Sequence, residues 1–386
     1  VFESFLPYAY ALGVANQWCQ RFAREMPREI RDSAGYQPAT AEARVQSNHV
    51  ASVEFRLIPE HFTSSIEVTA NVPVVDTSKV NTGVVWDSEY LRLAEVGTTN
   101  RNYQAVLGQA PGVFSGNNPS VMGATIGENS YLVDGMSTTD PAFGTWGTMF
   151  NIDAVQEMNF QTGGFEAEFG QATGGLVNLV TKSGGNQFSG SLDLRYRGED
   201  FTENGEHYDR SELSEWRQGY SATLGGPILR DRLWFFTSVQ YISNNREEAE
   251  SHFSRQWTGW QALAKLTWQA GTNHRVVLKG SSDPAEIPGI NLDALVLESA
   301  KGTQEQGGHL WQLELSSVLS DSWLLVAQVG AAPMFTRLFP TNGSDLVSGH
   351  WNQDTGLWYH NFDLNYDGPR TRDDARVSTT WFVEEL

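Results

Sequence analysis

From residue 190 onward, apolar and polar positions alternate with a period of two, the signature of strands with two unlike faces. Leu192, Leu194 and Tyr196 alternate with Asp193, Arg195 and Arg197, and Tyr220, Ala222 and Leu224 with Ser221 and Thr223. Leu233, Phe235, Val239 and Tyr241 form a third series, opposed by Trp234, Phe236, Ser238 and Gln240. Trp260, Ala262, Ala264, Leu266 and Trp268 alternate with Gln261, Lys265 and Thr267. Val276 and Leu278 oppose Arg275 and Lys279, and Trp311, Leu313 and Leu315 oppose Gln312 and Glu314. Further series begin at Trp323 and Val377. The pattern predicts about eight strands. Their connectors also alternate: short ones at 225–232, 270–274 and 320–322 exchange with long polar ones at 198–216 and 244–256.

The chain before residue 190 has a different texture. Phe2, Phe5, Leu6, Ala9, Leu12, Trp18 and Phe22 recur at helical spacing until Pro27 ends the segment. Residues 28–41 are polar and read as a linker, and Val53, Phe55 and Leu57 mark one strand. Short helical turns are predicted at 90–93 and 103–107, the second stopped by Pro111-Gly112. Tyr131, Leu132 and Val133 form a strand that ends in an Asp134-Gly135 turn. A helical turn capped by Asn151 leads towards Met158. Leu176 to Thr181 carries aliphatic side chains on both faces, so this strand should be buried on both sides.

A compact glycine-rich domain followed by amphipathic strands is the layout of a plugged membrane barrel. The expected fold class is mainly β: a glycine-rich α+β plug, then an antiparallel transmembrane β-barrel with short turns at one end and long loops at the other. Gly163, Gly164, Gly170, Gly174 and Gly175 are expected to let the plug backbone approach the surrounding wall. Polar residues such as Arg195, Arg197, Lys265 and Lys279 are expected to face a wet lumen. About eight strands are too few to enclose such a plug, because plugged transporters need about 22, so the barrel is expected to be incomplete within this chain.

Composition supports this picture. Charged residues are only 19%, with no apolar run long enough for a spanning helix, as alternation across a lipid-facing wall would give. The 13 tryptophans suit a membrane interface, although they also suit a soluble carbohydrate-binding β protein. A formal charge of −20 repels phosphate backbones and argues against nucleic-acid binding. The lone Cys19 excludes an internal disulfide. No nucleophile elbow, phosphate loop, dinucleotide fingerprint or paired-histidine zinc motif is present, so no catalytic residue, metal or cofactor is expected.

Several segments resemble one family. YLVDG at 131–135, IDAVQEM followed by TGGFEAEFG within 152–170, GGLVNLVTKSGG at 174–185, GGPILRDRLWFF at 225–236 and SSDPAEIPG at 281–289 are similar in order and spacing to TonB-dependent outer-membrane receptors of the Oar-like group. The resemblance implies a bacterial outer-membrane location and a plug motif that includes Asp134, Gly135 and Asn178 beside the glycines above. It implies partners TonB, ExbB and ExbD. It also implies a coupling segment, for which Ile66, Glu67, Val68, Thr69 and Ala70 are the candidate, adding a strand to TonB through main-chain hydrogen bonds.

The predicted divisions are an amphipathic helical segment of uncertain origin (1–27), a linker with the last strand of a carboxypeptidase-regulatory-like domain (28–62), the plug (63–186) and a partial barrel (187–386). Trp216, Trp257, Trp351, Trp358 and Tyr359, expected in loops, are candidate ligand contacts. Siderophore, cobalamin, oligosaccharide and peptide all remain open as the ligand. Besides import, the sequence admits a structural or adhesive surface protein with the same fold.

Overall fold

The computed structural model describes residues 82–94, 103–114, 118–165, 172–198, 216–247, 251–320, 322–343 and 347–381. All lie in one compact unit, Asn81–Leu386. The predicted segments 1–27 and 28–62, the coupling candidate Ile66 to Ala70, and Gly170 fall outside the described residues.

The first half of the unit is the small α+β domain. Strand β1 (Thr82–Asp87) runs into helix α1 (Ser88–Leu93), where the Asp87 carboxylate caps the helix by accepting from the Tyr90 amide at 2.8 Å. Helix α2 (Tyr103–Leu107) follows, then the paired short strands β2 (Val113–Phe114) and β3 (Ser120–Val121). Both helices match their predicted positions. Strands β4 (Ser130–Val133) and β5 (Met136–Ser137) form a hairpin. Its two turn residues, Asp134 and Gly135, have φ of 48° and 80°, as a two-residue turn of the primed type requires.

Asn151 caps a short 3-10 turn, Ile152–Ala154, and β6 (Val155–Gly163) starts at once, so the helical stretch predicted as far as Met158 is shorter than expected. Strand β7 (Leu176–Thr181) completes a five-stranded sheet of order β1-β6-β7-β4-β5, in which β7 runs parallel to β4 and β6 antiparallel to both β1 and β7. The helices pack on this sheet through Leu91, Val106, Leu107, Tyr131, Met158 and Phe160, all buried. The two-sided burial predicted for β7 holds: Leu176, Val177 and Leu179 are all inaccessible.

The second half is a long antiparallel sheet. Its staves are β8 (Ser189–Arg197), β9 (Trp216–Leu229), β10 (Leu233–Arg246), β11 (Arg255–Gln269), β12 (His274–Ser282), the short continuation β13 (Ala285–Pro288), β14 (Gly302–Ser320), β15 (Trp323–Pro340) and β18 (Tyr366–Trp381). A small hairpin, β16 (His350–Trp351) with β17 (Trp358–Tyr359), sits in the connection before β18. The order is β18-β15-β14-β12-β11-β10-β9-β8, with β13 bridging β11 and β14. The sheet is open: among the described residues β8 and β18 each have a single hydrogen-bonded neighbour.

Two boundaries differ from expectation. Strand β9 continues through Leu229, so the turn after it is shorter than the predicted 225–232 connector. Strand β18 begins at Tyr366, well before the series that starts at Val377.

The two faces of this wall differ as the alternation predicts. Tyr220, Leu224, Val239, Trp260, Leu266, Trp268, Trp311 and Val329 are exposed on the outer face. Ser221, Ser238, Gln240, Gln261, Lys265, Lys279, Gln312 and Gln328 are buried on the inner face. Polar residues are therefore inside and apolar residues outside, the reverse of a soluble sandwich and the pattern of a lipid-facing barrel. Rings gather at two levels. Tyr220, Tyr241 and Trp260 are direct cross-strand neighbours, with Tyr220 and Tyr241 stacked at 6.2 Å and Trp260 4.7 Å from Tyr241. Towards the short turns lie Trp268 and the facing pair Trp323 and Trp381. Among the described residues no helix is long and apolar enough to cross a membrane, a fact that does not bear on strands.

Candidate functional site

The inner face of the wall is covered by the small domain, and their contact is the site. The expected wet lumen is filled here: Lys265 and Lys279 are buried against protein. Both reach the β4–β5 turn. The Asp134 carboxylate accepts from Lys279 Nζ at 2.9 Å and lies 3.4 Å from Lys265 Nζ. It also accepts from the Thr181 amide at 2.7 Å and the Thr181 hydroxyl at 2.6 Å, which tie it to β7. Lys265, Lys279 and Gln312 stand directly opposite one another on β11, β12 and β14, so the pleat delivers them to one spot. Gln312 and Gln328 donate to the Asp134 carbonyl at 3.1 and 2.9 Å.

Burial alone would push the Asp134 carboxyl up. The Lys279 and Lys265 ammoniums and the hydrogen bonds from Lys279 and Thr181 outweigh it and hold the group well below the usual carboxylate range. The seat lies in the half of the wall nearer the short turns, as Lys265 is close to the end of β11, which leads into one of them.

Further polar contacts line the same seam. Asn151 Nδ2 donates to the Ser221 hydroxyl at 2.9 Å and the Ser238 hydroxyl at 2.8 Å, while Ser221 donates to Asp153 at 2.9 Å. The Ser137 amide donates to Asp374 on β18 at 3.3 Å. Towards the long-loop end, the buried Asp140 carboxylate accepts from Arg370 Nε at 2.7 Å and also from Arg370 Nη2. Asp283, at the break between β12 and β13, accepts from the Met149 amide at 2.6 Å and the Gly308 amide at 2.8 Å. Beside these two carboxylates lies a cavity of about 200 Å³, bounded by Asn118, Phe143 and Trp146 of the small domain and by Gln304 and Gln306 of β14.

Of the predicted site residues, Asp134 and Gly135 form the seated turn. A Cβ on Gly135 would come within 3.3 Å of Arg376 Nη2 on β18. Asn178 supports the turn by accepting from the Gly135 amide at 3.2 Å. Gly163, Gly174 and Gly175 do not approach the wall as expected. A Cβ on Gly174 would meet Asn129 Oδ1 at 2.7 Å and one on Gly175 would meet Phe160 at 2.7 Å, both inside the small domain. Gly163 faces Thr82, and Gly164 adopts φ of 71°.

The expected loop placement of two tryptophans is also corrected. Trp216 opens β9, and Trp257 lies within β11, buried with Met149, Ile242, Ala285 and Ile287. Trp351 and Trp358 stack at 6.2 Å across the β16–β17 hairpin, beside Tyr359. Sequence reading missed Arg370, Asp283 and Asp140. The signal for Arg370 was its even parity on a strand whose inner row is charged. Among the described residues no cluster of three or more histidine, cysteine or acidic side chains is placed to hold a metal.

A folded domain tied to the polar inner face of an outwardly apolar β-wall defines the class, a plugged outer-membrane β-barrel. A family profile described as an outer membrane beta barrel domain matches residues 180–254. More particularly, the chain is similar, in its plug and in part of its barrel, to a TonB-dependent transporter, and its location is the bacterial outer membrane. It is 35% identical over 212 residues to the TonB-dependent transporter Oar of Myxococcus xanthus, a match covering 51% of this chain and 20% of that protein. The chain therefore spans about a fifth of that curated relative.

Two solved structures share the fold. The outer membrane transporter YddB from Escherichia coli superposes with a TM-score of 0.59 at 15% identity, over 77% of this chain and 45% of its own. The siderophore receptor PirA from Acinetobacter baumannii superposes with a TM-score of 0.52 at 18% identity, over 75% and 43%. These relatives are transporters and receptors, not enzymes.

Proposed function

We propose that the protein works as an energy-coupled importer of the outer membrane, with the seated β4–β5 turn as the contact that holds its plug in the pore. The supporting observation is the chemistry of that contact. A plug meant to stay would be sealed to the wall by apolar packing. Here the Asp134 carboxylate, two lysines and two glutamines hold the turn instead. Polar groups of this kind can exchange protein partners for water as the plug shifts.

The outer membrane has no nucleotide supply, so the pull comes from TonB, driven by ExbB and ExbD, acting on a coupling segment at Ile66, Glu67, Val68, Thr69 and Ala70. An extended peptide there adds a strand to TonB. Ligand arrives from the long-loop side, and its binding is relayed as an order–disorder change of that segment. Deleting residues 66–70 in the full-length protein abolishes uptake and leaves surface ligand binding unchanged. Unchanged uptake in that deletion defeats the coupling.

A further inference from the structure

The receptor reading leaves the ligand open, and the cavity at the long-loop end of the seam narrows it. The geometry points to an uncharged glycan, one ring of which enters between Trp146 and the amides of Asn118, Gln304 and Gln306. This inference rests on the receptor reading and concerns only its ligand class.

Charge is the first argument. Arg370 is the one cation among the described residues that line the cavity, and its Nε and Nη2 donors and one Nη1 donor are already engaged. Nε and Nη2 bind Asp140, Nη1 donates to the Gly368 carbonyl at 2.7 Å, Nη2 also donates to Thr336 at 3.0 Å, and the guanidinium lies 5.1 Å from the Phe143 ring. Asp140 is paired with Arg370, and Asp283 is buried between the Met149 and Gly308 amides. An anionic ferric chelate would therefore find no free positive partner there.

Size is the second. At about 200 Å³ the cavity is below the roughly 300–1,000 Å³ of sites that enclose a whole drug-sized ligand. It admits one ring of an extended molecule. The third argument is the polar lining. Gln304 Nε2 donates to Gln306 Oε1, and the remaining donors and acceptors of these amides suit adjacent hydroxyls. The Asn118 Oδ1 atom is buried without a protein partner, so an acceptor waits there for a donor. The partly buried Trp146 ring, backed by the apolar clusters behind it, adds apolar surface to the lining.

A peptide fits less well. Strands β14 and β15, which form most of the wall there, are paired on both sides and offer no edge for strand addition. The acids and the arginine that would grip its termini already hold each other or backbone amides.

The test uses the full chain in detergent micelles on an array of neutral oligosaccharides, with a ferric tris-catecholate chelate and a mixed peptide library as parallel probes. Neutral glycans should bind, and N118A and Q304A should each weaken binding by about tenfold, the cost of one lost hydrogen bond in a desolvated site. W146A should weaken it as much, and W146F should recover most of it. Heat-modifiable gel migration verifies that each variant is folded. Glycan binding that all these variants leave intact overturns the assignment to this cavity. Binding of chelate or peptide without glycan overturns the ligand class and leaves the receptor reading standing. A folded protein that binds none of the probes overturns the glycan and counts against the receptor as well.

Discussion

The plug has two kinds of contact, and they are built from opposite materials. Within the plug, helices and sheet meet through Leu91, Val106, Leu107, Ile152, Met158 and Phe160, all apolar and inaccessible. Between plug and wall, contacts run through Asp134, Lys265, Lys279, Gln312, Asn151, Ser221 and Asp140, with a smaller apolar share from Phe236, Leu263, Leu310 and Met334. Apolar burial is strong and sends no side chain back to water without a loss proportional to area. A hydrogen-bonded seam costs little to open if water can enter, since its groups are as content with water as with each other. The plug is thus made to stay folded while its attachment is made to be exchanged.

This contrast can be broken from either side. The largest effect is expected from Phe160→Ala, which removes a buried ring stacked on Trp86 at 6.1 Å and should cost about 3–5 kcal/mol of plug stability. Rapid proteolysis of the plug alongside an intact heat-modifiable barrel is the expected readout. Equal protection of variant and parent would show that the plug is held by the wall and not by its own core. Next comes Asp134→Asn, which strands two buried ammoniums and should weaken seating by about 3 kcal/mol without unfolding the plug. Hydrogen exchange should accelerate at the β4–β5 turn and leave α1 and β6 protected.

The same carboxylate sets a pH window. Its folded pKa is depressed, so its contribution is fully present above the unfolded value of about 3.9 and is lost as pH falls towards the folded one. Seating should be level from pH 7 to about 5 and weaken only below about 4. The difference between parent and Asp134→Asn in near-ultraviolet circular dichroism during acid titration measures this, and a step near neutrality would refute it. The smallest effect is expected from Asn151→Ala. It leaves the Ser221 and Ser238 hydroxyls without their amide donor and should cost about 1 kcal/mol, seen as a modest fall in denaturant midpoint.

Much of the architecture was legible because the signals were local. Asp134-Gly135 between short β-prone runs specified a primed turn, and the alternation from Trp260 to Trp268 specified a two-faced stave. The seat itself was not legible. Lys265 was readable as inward-facing, but its partner lies 131 residues away, and no periodicity links the two. Strand β18 was read only from Val377 because Arg370, Arg372, Asp374 and Arg376 share the strand with outward Asp367 and Asp373, which erases the hydrophobic contrast on which alternation depends. Trp257 was misplaced because an inward tryptophan that packs on the plug looks, in sequence, like an aromatic in a polar loop.

The two levels of aromatic rings also act as a gauge. Trp260 and Trp268 on β11 stand about 26 Å apart along the strand at ~3.3 Å per residue. A tilt of about 40° reduces this to about 20 Å of height. A sheet so dimensioned is matched to a thin bilayer, and in a thicker one the surrounding acyl chains would have to compress to meet it. The spacing of two indoles thus carries a preference for one cellular boundary over another, written in the side chains.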